Sequence, residues 1–246
     1  MRTYVVDKRF IMIAKLVELL VEPRADGNGI NLYQGRLSLR FAEILHMGGP
    51  VLGDAQAYER LLQVFVGWVR ESASTEELFE AIAALNASVL DTDFLRFINK
   101  LEQCRAIADK TAAAIVAGEH KDELDPAVPA LYCLGLAFGE ILGQHFRLIH
   151  DQSKVIDRNA VLLRTVHFLP NPARPGEFNQ QLPVLGIEFA DSKAHPQLQV
   201  ADWAAGATRQ WARHLAVGGG DRFSQELEDV ARPWLIGGVW PPTVQG

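Results

Sequence analysis

Apolar positions along the chain change period several times, and each change marks an element. Thr3 to Val6 is short, β-branched and aromatic, which predicts a strand; it stops at Asp7-Lys8-Arg9. Ile11, Met12, Leu16, Leu19 and Leu20 then fall at helical spacing toward Pro23, and Asp26-Gly27-Asn28-Gly29 reads as a loop. The next ninety or so residues are helical in pattern. Asp54 caps one helix, Ser74 and Glu77 form a capping box for another, and a third runs from about Asp93 to a break at Gly118. Asp125-Pro126 opens a further helix that ends near Gly143.

Period two appears next. His145-Phe146-Arg147-Leu148-Ile149-His150 alternates polar and apolar as a half-buried strand does, and it delivers Asp151 to the strand's C-terminal end. Gln152-Ser153-Lys154 opens a helix, and residues 171–181 form a proline-containing loop. Val184 to Ala190 has the length and composition of a buried strand. It ends at Asp191-Ser192-Lys193, before a helix starting near Pro196. Gly218-Gly219-Gly220 closes that helix, a short helix spans Phe223 to Val230, and an aromatic tail carries Trp234 and Trp240. Strands interleaved with helices predict an α/β class, with about 36–120 inserted as a helical layer in a single domain over 1–246.

Composition narrows the functional classes. The 246 residues are 48% hydrophobic, enough for a substantial core. With 24 Lys plus Arg against 30 Asp plus Glu, the net charge is -6. No global basic field draws nucleic acid, so any such contact is local. Cys104 and Cys133 lack paired spacing and sit in apolar helical contexts, so reduced core thiols and a cytoplasmic setting are expected. No membrane partner is expected, and the pattern leaves the oligomeric state open.

The chemistry concentrates between Ile187 and Arg213. Gln199, Asp202, Gly206 and Arg209 share one helix face, with Ala201, Ala204 and Ala205 keeping the neighbouring surface small. Asp151 and Asp202 are candidate hard-oxygen ligands for Mg or Mn. The bland alternative is that Asp151 caps the following helix and Asp202 pairs with Arg209 or Arg213. Asp191 at the strand end faces a site or stabilises a turn, Lys193 contacts a phosphate or solvent, and Gln199 orients Asp202 or is solvated. His195, before Pro196, reads as a loop residue.

The words VVDKRFIMIAKLVELL, HDQSK and FADSKAHPQLQVADWAAG, in that order, resemble the domain of unknown function 3800 family, whose members are similar to the ribonuclease-H-like fold. The resemblance implies a ribonuclease-H-like mixed sheet flanked by helices, with a metal-dependent phosphodiester hydrolase as the expected activity and a non-catalytic binding or assembly module as the alternative. It carries the family's second and third acids onto Asp151 in HDQSK and Asp202 in LQVAD, which would ligate Mg or Mn; Asp191, Gln199 and Lys193 lie in the same words. The family's Asp-Glu-Ser-Gly word is not present in these residues. The expectation is therefore a piece of a longer chain, or a shortened member without the full metal cluster; Asp7 is a weak substitute for the first acid.

Overall fold

The computed structural model describes residues 1–217 and 221–239. The chain folds as two compact units. The first comprises Met1–Asp7, Asp125–Asn171 and the residues from Pro175 onward; the second comprises Lys8–Leu124 with Pro172–Arg174. The molecule is α/β and 66% helical, with small parallel sheets. No helix among the described residues is long and apolar enough to cross a membrane.

The second unit is helical throughout, and residues 36–120 lie inside it. Helix α1 (Lys8–Leu16) runs into a π-helical turn, Val17–Val21, and then α2 (Glu22–Asp26). Helices α3 (Leu37–Leu52), α4 (Ala55–Val69), α5 (Thr75–Ser88), α6 (Thr92–Glu102) and α7 (Arg105–Val116) follow. Their starts are chemically marked. Asp54 accepts from Ala57 N at 2.8 Å, Ser74 and Glu77 close a reciprocal capping box, and Asp91 accepts from Phe94 N at 2.7 Å. Phe10, Leu16, Leu45, Tyr58, Phe65 and Ile82 are fully buried and form the centre of this unit. The single helix expected from Asp93 to Gly118 is two helices, broken at Gln103-Cys104. The apolar spacing runs on through the break because buried Cys104 continues the stripe while its Sγ bonds Lys100 O at 3.0 Å.

The first unit carries the strands. β1 (Thr3–Val6) pairs in parallel with β4 (Leu235–Val239), a strand that lies in the segment expected to be an aromatic tail. Trp240 and Gly218 to Gly220 fall outside the described residues. β2 (Phe146–Asp151) pairs in parallel with β3 (Val184–Ala190). Where a mixed sheet is expected, the described residues hold two parallel pairs and one isolated antiparallel bridge, Pro170 to Phe178.

Helices α8 (Ala127–Leu142) and α9 (Lys154–Thr165) lie between the strands in sequence. Asp125 accepts from Ala127 N at 2.8 Å and starts α8. A small core of Leu131, Ile156, Leu163 and Leu182 receives Leu148 and Ile187 from the sheet. α8 approaches the segment before β3 so closely that a Cβ at Gly139 would stand 2.2 Å from Pro183 Cγ. α10 (Pro196–Val217) buries Ala204, Thr208, Trp211 and Ala212, and Thr208 Oγ1 lies 3.3 Å from Thr3 Oγ1 on β1. α11 (Arg222–Ala231) is capped by Asp221 and tied to α10 by Gln210 donating to Ser224 Oγ at 2.8 Å.

Candidate functional site

β2 alternates half-buried and exposed positions, so Phe146, Leu148 and His150 turn inward while Arg147, Ile149 and Asp151 turn out. β3 is less buried than its apolar composition suggests, with Leu185 69% exposed, because no third strand pairs with either partner among the described residues. Arg147 and Glu188 form an ion pair at 2.8 Å across the outer face.

The strand register fixes the acids. Asp151 is the partner of Ala190, so Asp151 and the next residue, Asp191, end adjacent parallel strands at their carboxyl ends. Neighbouring strands lie about 4.8 Å apart, and the carboxyl end of a parallel pair is where open α/β sheets bind ligands. Both acids are exposed. Asp151 Oδ1 accepts from Gln152 N at 2.8 Å, and Asp191 Oδ1 accepts from Lys193 N at 2.9 Å. The helix cap at α9 is Ser153, whose hydroxyl accepts from Ile156 N at 3.3 Å, so Asp151 is not the cap that the bland reading assigns it. Each carboxylate keeps a second oxygen for another partner.

Gln199, half-buried in the first turns of α10, donates from Nε2 to Ser192 O at 2.9 Å. Its bond goes to the turn rather than to Asp202. Lys193 is exposed. Asp202 is exposed too, and among the described residues it has no hydrogen bond or ion pair, so pairing with Arg209 or Arg213 is not seen. The structure thus joins Asp151 to Asp191 by strand register and Gln199 to the turn by a hydrogen bond. Among the described residues, no three His, Cys, Asp or Glu side chains come together as a metal-holding group.

No family model, curated protein or solved structure matches this chain.

A second polar cluster, in the helical unit, has no signal in the sequence. Lys15 Nζ meets Glu18 at 2.9 Å and pairs with Glu123, and His120 Nδ1 lies 3.1 Å from Glu123 Oε2. Burial works against the Lys15 charge, but Glu18 and Glu123 outweigh it and hold its pKa above the ordinary value. Burial likewise opposes the Glu123 charge, yet Lys15 and His120 bring its pKa below the usual range. Glu22 moves the other way. Burial raises its pKa against the hydrogen bonds from Tyr33 and Ser38, with the Glu18 charge adding to the rise. Every member has a partner within the cluster, which makes it a clasp around the π-helical turn rather than an open site. Lys15 and Glu123 are 108 residues apart, and no local pattern relates them.

Proposed function

We infer that this chain is a magnesium- or manganese-dependent phosphodiester hydrolase of ribonuclease-H-like architecture, a reading that rests on the resemblance of its sequence words to the domain of unknown function 3800 family. The observation that carries this reading is the adjacency of Asp151 and Asp191 at the carboxyl ends of β2 and β3. The donors suit the ion: exposed carboxylates, each with an oxygen to spare, are hard ligands. Magnesium commonly takes only one or two protein carboxylates and fills its shell with water and substrate phosphate, so a single ion fits these residues. A two-ion centre needs more acids than are gathered here.

In this reading Asp151, with Asp191 on the neighbouring strand end, would hold the ion, and Asp202 is the further ligand that the resemblance implies. A bound divalent ion would polarise a phosphoryl oxygen and lower the pKa of a water. The protein's part is positional. Gln199 anchors the 191–193 turn to α10, and Lys193 offers a cation to a phosphate. Purified protein with Mn and labelled single- and double-stranded DNA and RNA, beside Asp151→Asn and Asp202→Asn variants, tests it. Cleavage by the wild type and its loss in both variants is expected; equal cleavage by all three, or none by any, rejects the hydrolase.

The second reading is a non-catalytic binding or assembly module. It is favoured by the unengaged, exposed face around Asp202. Calorimetric titration with Mg and Mn separates the two, because this module predicts no heat of ion binding.

A further inference from the structure

We propose that the outer face of α10 is the contact surface for a second copy of this chain, which packs its own α10 antiparallel across Gly206. This goes beyond the hydrolase reading and gives the assembly reading a partner. Asp202, Gly206 and Arg209 lie on one face of the helix, and all three are exposed. Asp202 and Arg209 carry opposite charges, and among the described residues neither makes a hydrogen bond or ion pair. A Cβ built on Gly206 meets nothing within 4 Å, so the centre of the face is open. Trp203, on its flank, is 73% exposed, a large apolar surface left in water.

Charge order selects the occupant. Along α10 the face reads acid, small residues Ala205 and Gly206, then base. The complementary surface must present base, small residue and acid in that direction, which α10 itself does when reversed about a two-fold axis near Ala205 and Gly206. Asp202 of each copy then meets Arg209 of the other, and the small residues let the backbones approach closely. A contact confined to one helix per copy is smaller than the ~800 Å² per partner of a standard interface, so the dimer is weak, with Kd on the order of micromolar. An ion at Asp202 and Arg209 of a second copy would draw on the same carboxylate, so the dimer and the ion-bound state compete.

Sedimentation of the full chain without divalent ions, over about 1–100 µM, reads the association directly. The expected result is a weight-average mass rising from that of one 27.2 kDa chain toward twice that value, with the Trp emission moving to the blue. Asp202→Arg sets like charges against each other and weakens association at least ~10-fold, and so does Arg209→Asp. The double variant Asp202→Arg/Arg209→Asp restores the pairing in reverse and associates like the wild type. Gly206→Leu, whose side chain enters open space in the single chain, keeps the wild-type circular dichroism and stays monomeric. A wild type monomeric throughout overturns the proposal, as does a folded double variant that fails to associate or a Gly206→Leu variant that still does. Because the measurement contains no divalent ion, its failure leaves the cleavage test standing, and failure of cleavage leaves this one.

Discussion

Gln199 Nε2 donates to the backbone carbonyl of Ser192 across 2.9 Å, and this bond links the turn after β3 to the first turns of α10. Asp191 Oδ1 secures the same turn from the other side by accepting from Lys193 N at 2.9 Å. Two side chains therefore set the path of the backbone between the strand-end acid and the helix that carries Asp202. Gln199→Leu removes the donor while keeping the size, and its expected cost is about 1 kcal/mol in urea denaturation. Gln199→Glu puts a carboxylate against a carbonyl oxygen and is worse at neutral pH than at pH 4. Equal midpoints for wild type and the leucine variant would show that the turn holds itself.

Ser74→Ala tests the capping box of α5. The loss expected is ~1 kcal/mol. Glu77 adds a pH dependence, since hydrogen bonds from the Ser74 backbone and hydroxyl lower its pKa. A lowered carboxylate contributes stability above its unfolded pKa and loses it as pH falls through the folded value. The gap between the thermal melts of wild type and Ser74→Ala should therefore narrow in acid, while the part due to Glu77 N donating to Ser74 Oγ persists.

Glu123→Gln breaks the clasp at the π-helical turn. Lys15 keeps Glu18, so the expected loss is about 1 kcal/mol, toward the upper end for a partly solvated pair and well below a fully buried one. Glu123 follows the same sign: its pKa lies below the ordinary range, and its contribution fades as pH drops through that lowered value. Lys15 has the opposite sign. Its raised pKa keeps its contribution intact at neutral pH, and the loss comes only as pH rises through that raised value. Urea midpoints between pH 3 and pH 8 read the acidic limb.

Thiol labelling separates the two cysteines. Cys104 is fully buried, and burial raises its pKa to about 11, partly offset by the Arg24 charge; Cys133 is only half-buried. Native protein at pH 8 should label first at Cys133. Cys104 should react at the rate of unfolding, and peptide mapping of the modified residues checks the order.

Capping chemistry and period were legible because they are local. Ser74 with Glu77, Asp54 and Asp125 mark helix starts within four residues, and the alternation from Phe146 to Asp151 gives the strand and its end. The break at Gln103-Cys104 has no glycine or proline to announce it. β4 reads Leu-Ile-Gly-Gly-Val, without alternation, and becomes a strand by pairing with β1 at the far end of the sequence. At the candidate site, the position of each acid on its element could be read from sequence, but the bond of Gln199 to Ser192 rather than to Asp202 depends on where the helix begins relative to the turn.

The pairing of β1 with β4 also orders events in time. The Arg2 guanidinium donates to Pro233 O at 2.9 Å across 231 residues, and Asp7 N donates to Val239 O at 2.9 Å. A chain leaving the ribosome makes β1 before the helical unit, whose contacts lie within one continuous stretch apart from 172–174. That unit can collapse while synthesis continues. The pairing of β1 with β4 must wait until nearly all of the described chain has emerged, which makes closure of this sheet a late step of folding.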